Sequence, residues 1–147
     1  MAQEFDDAWH EQWYRQMEEG GGNIIAAMRM RMVEESDERV VIEMPLSGGV
    51  RQGTGVFAAG ALMQLADVGA TVICGRAAGS TPEDPKPFPL SVQISVNLVR
   101  NVNRGKAISE SRIVHGGRTL TVVESRVCDE EGRLMCIVTS THVAIGR

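Results

Sequence analysis

The sequence predicts an α+β fold, in which one long apolar helix lies on one face of a curved antiparallel sheet and a second helix precedes it. Three observations carry this reading. Gly55 to Arg76 is a near-continuous apolar segment of helical length, interrupted by a single acid, Asp67. Two segments before it and four after it alternate apolar and polar residues with the period of a strand. Glycine, proline and acidic turn formers separate these segments. Strands grouped around a single helix give an α+β layer rather than a chain of βαβ units.

The elements follow in order. Ala2 to Glu19 reads as a mostly polar helix with Phe5, Trp9, Trp13 and Met17 spaced i, i+4, i+8, i+12, a stripe suited to docking on a body or a partner. Gly20-Gly21-Gly22 ends it, so residues 1–22 form an N-terminal helical extension and residues 23–147 the main domain. Ile24 to Met28 adds a helical turn. Arg29 to Glu34 and Arg39 to Pro45 are strands joined by Glu35-Ser36-Asp37-Glu38, and Met28, Met30 and Met32 alternate with arginines as core positions of a half-buried strand. A glycine-rich passage, Ser47 to Gly55, leads into the long helix. Gly79 to Pro89 holds four of the five prolines and reads as an extended surface loop. In Ser91 to Arg100, strict alternation places Val92, Ile94, Val96 and Leu98 on one face and Ser91, Gln93, Ser95 and Asn97 on the other. Lys106 to His115, Thr119 to Asp129 and Arg133 to Ile145 complete the sheet, with turns at Gly116-Gly117 and Asp129 to Gly132.

Composition narrows the function classes. A chain of 147 residues makes one domain, large enough to bury roughly 68–70% of its unfolded surface without disulfide staples. A net charge of -4, from 15 basic and 19 acidic residues and no basic block, excludes nucleic acid as the main partner. Cys74, Cys128 and Cys136 lack metal-ligand spacing and read as small buried hydrophobes in a reducing, cytoplasmic compartment. The N-terminus is acidic and carries no apolar signal segment. Val56 to Gly75 has the length of a membrane span, but Asp67 near its centre costs about 2.5–3.5 kcal/mol on insertion scales, and Gln64 and three glycines weaken it further. No membrane association, metal or cofactor is expected.

The chemistry centres on Asp67. Gly60, Gln64, Asp67 and Thr71 follow i, i+4, i+7, i+11 and share one narrow stripe of an otherwise apolar helix. Such a stripe can simply face solvent; facing a cleft, it makes Asp67 a candidate base or nucleophile with Gln64 and Thr71 as polar neighbours. The helix N-terminus, around Phe57 to Gly60, offers unpaired N–H groups able to hold an oxyanion or a thioester carbonyl. The lead-in is no P-loop, since no Gly-Lys-Ser/Thr follows. His10, His115 and His142 form no metal or nucleophile motif and read as structural or solvated.

Three blocks carry a resemblance: GVFAAGALMQLADVGAT (Gly55 to Thr71), PLSVQISVNLVRNVNRGKAI (Pro89 to Ile108) and IVHGGRTLTVVESRVCDEEGRLM (Ile113 to Met135). In order and spacing the chain from Ile24 to Ile145 resembles the hotdog-fold thioesterases, and among them the phenylacetate-pathway acyl-CoA thioesterases. The resemblance implies a hotdog fold, a central helix wrapped by a curved antiparallel sheet. It also implies homodimers or dimers of dimers, with acyl-CoA sites at the dimer interface. It casts Asp67 as general base or nucleophile, Ala59 as donor of the oxyanion-hole N–H, and Ser91 as the serine that positions the attacking water. Gln52 falls where the family usually has Asn near the thioester, and Gly60, Gln64 and Thr71 complete the implied substrate-binding set. The chain departs from the family at the helix start, where the usual His-Gly-Gly is Ala58-Ala59-Gly60. A backbone N–H survives that change; the histidine side chain does not.

The residues therefore support three readings. The first is an acyl-CoA thioesterase acting on a small or medium acyl or aryl group through Asp67. The second is a non-catalytic acyl-CoA or acyl-ligand binding protein on the same scaffold. The third is an interaction protein that docks through Phe5, Trp9 and Trp13.

Overall fold

A computed structural model describes residues 5–81, 83–84 and 88–145. Helices α1 (Asp7–Glu19) and α2 (Ile24–Ala27) precede strands β1 (Arg31–Glu35) and β2 (Val40–Pro45). A 3-10 turn at Gly48–Val50 leads to helix α3 (Ala59–Ala77), followed by β3 (Phe88–Leu98), β4 (Lys106–Gly116), β5 (Leu120–Asp129) and β6 (Leu134–Ile145). The six strands form one antiparallel sheet in the order β1-β2-β4-β5-β6-β3, and α3 packs against its face from β2 to β3. This is the long helix on a curved antiparallel sheet that the alternation predicts. No helix among the described residues is long and apolar enough to cross a membrane.

The segment Gly55 to Arg76 is not helical from its first residue. Gly55 adopts φ +86° and Phe57 bridges Arg51 as isolated β-structure, so Val56 and Phe57 stay outside the helix, which begins at Ala59. Phe57 is fully buried all the same, as are Leu62, Leu65 and Ile73 further on. Each such side chain contributes about 1.5–3 kcal/mol by leaving water. The proline-rich passage also ends earlier than expected. Phe88 and Pro89 already belong to β3, where Pro89 pairs with Ala144 on an edge strand that tolerates a missing N–H; part of the expected Gly79–Pro89 loop lies outside the described residues.

Helix α1 docks on its own chain. Asp6 caps it by accepting from Trp9 N at 2.8 Å. His10, read as structural or solvated, is structural: it is buried, and its ring nitrogens lie 2.7 Å from Asp6 O and 3.1 Å from Met32 O. Tyr14 donates to Met30 O at 2.5 Å, and Asp7 pairs with Arg31. Phe5, Trp9 and Trp13 pack, partly buried, against the same core. The aromatic stripe therefore serves the attachment of α1 to the edge beside β1.

Small residues set the distance between α3 and the sheet. Ala61, Ala66, Gly69 and Ala70 of the helix are buried, and the strands beneath present Ala107, Ser109, Ser111, Ser125 and Ser140. Contact is closest at Gly69, where an added Cβ would lie 2.6 Å from Ser111 Oγ but an ordinary 3.5 Å from Ser111 Cβ. That hydroxyl cannot swing aside freely, because it is bonded to Ser125 Oγ at 2.7 Å. Gly69→Ala should therefore cost about 1–3 kcal/mol in urea unfolding, and adding Ser111→Ala should recover most of the loss. A double variant no more stable than Gly69→Ala alone would refute this account of the packing.

Candidate functional site

Asp67 sits in the middle of α3, half-buried on the side of the helix that faces β3. Ser91 Oγ donates to its Oδ1 at 2.6 Å. Alternation alone would turn Ser91 away from Val96, which packs against the core, yet both point at the helix. A bulge between Ser91 and Gln93 resolves this: the ladder with β6 slips there by one residue, leaving Val92 extra and exposed. After the slip, Ile94, Val96 and Leu98 stand opposite Ser140, Val138 and Cys136, all buried, just as Ser91 stands opposite buried His142. The expected face assignment of β3 is therefore corrected at one point, and that point is the site.

His142 is the residue that sequence reasoning passed over. Its Nδ1 lies 3.3 Å from Ser91 Oγ and its Nε2 2.9 Å from Ser140 Oγ. The ring is 1% exposed. The signal that could have found it is the register: His142 falls on the inward face of β6, directly across from Ser91 once the bulge is counted. Other nucleophile candidates are inert. Burial pushes the Cys74 thiol up to about 12 and Cys136 to about 11, and raises Cys128 as well. Among the described residues no three metal-ligating side chains gather.

The other predicted residues lie along or before the helix. Gln64 and Thr71, half-buried, share the stripe with Asp67, but neither hydrogen-bonds to it among the described residues; Gly60 is exposed near the helix start. Ala58 provides no side-chain cap, and the N–H groups of Ala59 and Gly60 meet no described acceptor. Asn101 holds the approach to these donors, accepting from Phe57 N at 3.2 Å and donating to Phe57 O at 2.8 Å. Gln52 stands apart, exposed in the lead-in and bonded to Thr54 Oγ1 at 2.9 Å. Ala59 and Asp67 are separated by eight residues of α-helix, about 12 Å along the axis, too far for one chain's Asp67 and Ala59 to reach the same carbonyl. A cavity of about 640 Å³ between α1 and α3, lined by Trp9, Trp13, Met32, Val72 and Arg76, involves none of these residues.

Known proteins match this chain closely enough to place it. The profile of the thioesterase superfamily matches residues 54–136, which include the helix start, Asp67 and Ser91. A Deinococcus radiodurans protein, assigned as an esterase without proof of activity, is 32% identical over 127 residues, covering 85% of this chain and 77% of that protein. The 1,4-dihydroxy-2-naphthoyl-CoA hydrolase of Escherichia coli is 26% identical over 117 residues, covering 80% of this chain and 82% of the hydrolase. The Escherichia coli PaaI protein of the phenylacetic acid degradation operon superposes with a TM-score of 0.74 at 12% identity, covering 93% of this chain and 94% of PaaI, which shows a shared fold.

The buried imidazole also makes a prediction. Burial lowers the pKa of His142 below its ordinary value of about 6.5, and the nearby Asp67 carboxylate opposes that shift without cancelling it. The unfolded chain then binds the proton more tightly than the folded one. Stability contributed by the neutral ring is complete above the unfolded value and is lost as pH falls through the lowered folded value. Urea unfolding between pH 8 and pH 5 should show the wild type losing stability relative to His142→Asn, which cannot titrate; parallel curves would refute it.

Proposed function

The chain belongs to the thioesterase superfamily, and from that premise we propose that it hydrolyses the thioester of a small or medium acyl-CoA or aryl-CoA, at a site that two copies build together. The observation that carries this reading is the 2.6 Å bond from Ser91 to Asp67, which holds a carboxylate at the open edge of the sheet with Oδ2 free of any described partner. In this reading a water between Asp67 and Ser91 gives a proton to the carboxylate while its oxygen attacks the thioester carbonyl carbon. The tetrahedral oxyanion is held by the Ala59 N–H. Collapse breaks the carbon–sulfur bond, and the coenzyme A thiolate takes up the proton from Asp67. Attack by Asp67 itself, through an anhydride, would use the same residues.

Distance and symmetry support the two-copy site. Ala59 and Asp67 of one chain stand about 12 Å apart. β3 is an edge strand, bonded only to β6 among the described residues, and it exposes Leu90, Val92 and Leu98. Pairing β3 with β3 of a second copy about a two-fold axis reverses every element lying along the sheet. The second α3 then runs antiparallel to the first, and its Ala59 end approaches the first chain's Asp67. The bond to Ser91 shows that Asp67 faces this edge. The acyl group is assigned only by likeness: an aryl thioester is what the Escherichia coli hydrolase is named for.

Acetyl-, hexanoyl- and benzoyl-CoA, assayed by release of the thiol, test the proposal. Asp67→Asn should lower kcat/KM by about 10²–10⁴-fold. Ala59→Pro should lower it by about 10²–10³-fold while sparing the helix, because proline is tolerated at the first helical position and removes only the N–H. Co-expression of the two inactive variants should restore about a quarter of wild-type turnover, since half of the randomly formed dimers carry one intact composite site. No restoration would overturn the two-copy site. Full activity of Asp67→Asn would overturn its role. A rise in Tm with these esters but no turnover would mark a non-catalytic binder instead.

A further inference from the structure

The hydrogen bonds around Ser91 have a direction that can be worked out. The hydroxyl carries one proton and donates it to Asp67 Oδ1 at 2.6 Å, because an ionised carboxylate can only accept. Toward His142 Nδ1, at 3.3 Å, Ser91 can therefore only accept, and Nδ1 must carry the hydrogen. Burial disfavours the charged ring, so a neutral imidazole with a hydrogen on Nδ1 has a bare Nε2. That atom lies 2.9 Å from Ser140 Oγ and accepts a hydrogen bond from it. Every donor then points the same way, from Ser140 to His142 to Ser91 to Asp67.

The fold holds this chain of bonds without slack. Ser140 and His142 lie two residues apart on β6 and share its inward face; both are 1% exposed. Ser91 is the register partner of His142, and the bulge that follows Ser91 is what aims it inward. Across the ring, Thr121 of β5 is the other register partner, and Cys74 of α3 lines the same small cavity as His142, its thiol held protonated by burial.

We propose that His142 is a positioning residue: its Nδ1–H occupies one lone pair of Ser91 Oγ, fixes the serine rotamer and commits the serine proton to Asp67. Ser91 keeps one lone pair, and Asp67 Oδ2 stays open, so the two can take both hydrogens of a single water. The water is then presented with a lone pair free for the carbonyl carbon. This role rests on the reading of Asp67 as the base.

The test compares His142→Ala, His142→Asn and His142→Gln with the wild type on hexanoyl- and benzoyl-CoA. It also reads the tautomer of His142 in the wild-type protein from long-range proton–nitrogen NMR spectra at pH 7.5. An asparagine places its amide N–H where Nδ1–H stands, whereas a glutamine reaches the position of Nε2. The expected result is an Nδ1–H tautomer, a kcat about tenfold lower with KM unchanged in His142→Ala and His142→Gln, and near wild-type kcat in His142→Asn. An Nε2–H tautomer, a folded His142→Asn as impaired as His142→Ala, or wild-type kcat in His142→Ala would each overturn the proposal. Should His142→Ala fail to fold, the tautomer and the asparagine variant decide alone. Asp67→Asn, run alongside, separates the two ideas: its full activity would sink the base reading, whereas its inactivity beside an unaffected His142→Ala sinks only the histidine's role.

Discussion

How near α3 can come to the sheet governs the rest of this molecule. The helix is apolar almost all round and would pack on any greasy surface, but large side chains beneath it would hold it off. Among the larger core side chains the strands present alanine and serine, and at the closest approach the helix answers with alanine and Gly69. Serines are a costly way to stay small, since each hydroxyl must find a partner. Ser111 and Ser125 bond to each other, Ser125 also reaches Ala66 O at 3.4 Å, and Ser140 is taken by His142; the Ser109 hydroxyl has no partner among the described residues. The gain is that α3 lies low enough for a side chain as short as aspartate to meet a strand residue at 2.6 Å.

The second constraint is the bulge in β3. A regular strand cannot place both a polar hook at Ser91 and an apolar stripe from Ile94 to Leu98 on one face, because Ser91 and Val96 stand five positions apart, an odd step. One extra residue resets the alternation and lets the strand turn Ser91 toward Asp67 and still pack Val96 against the core. Val92, left over, projects from the edge. The same irregularity thus aims the Ser91 hydroxyl at Asp67 and roughens an otherwise long, flat edge strand.

Much of this was legible before any coordinates. Period-two alternation marked all six strands, and the long apolar run marked α3, because those signals are local and strong. Asp67 stood out as the one acid in that run, and the family resemblance paired it with Ser91. What the sequence could not display was anything that depends on pairing between distant segments. The slip in β3 exists only relative to β6, so period-two counting misplaces Ser91 and Val92 while it groups Ile94, Val96 and Leu98 correctly. His142 looked like an isolated histidine because its partners, Ser91 and Asp67, lie 51 and 75 positions earlier. For His10 the sequence leaves a structural and a solvated role open for the same reason, its acceptor on β1 being 22 residues away. The start of α3 was misplaced because Val56 and Phe57 are as apolar as the helix they precede, and only the turn at Gly55 keeps them out of it.

The eight-position step from Ala59 to Asp67 reaches beyond geometry. On the proposed reading, an electrophile-holding end and a base-holding middle lie on one rigid rod, so a lone chain owns both halves of a site without bringing them together. Association would then be part of the chemistry. Turnover per chain would follow the law of mass action for the pair, constant at high protomer concentration and falling on dilution below the dissociation constant. Selection on the β3 edge would become selection on catalysis, and a change that merely loosens that edge would read out as a loss of kcat at low enzyme, recoverable by adding more of the same protein.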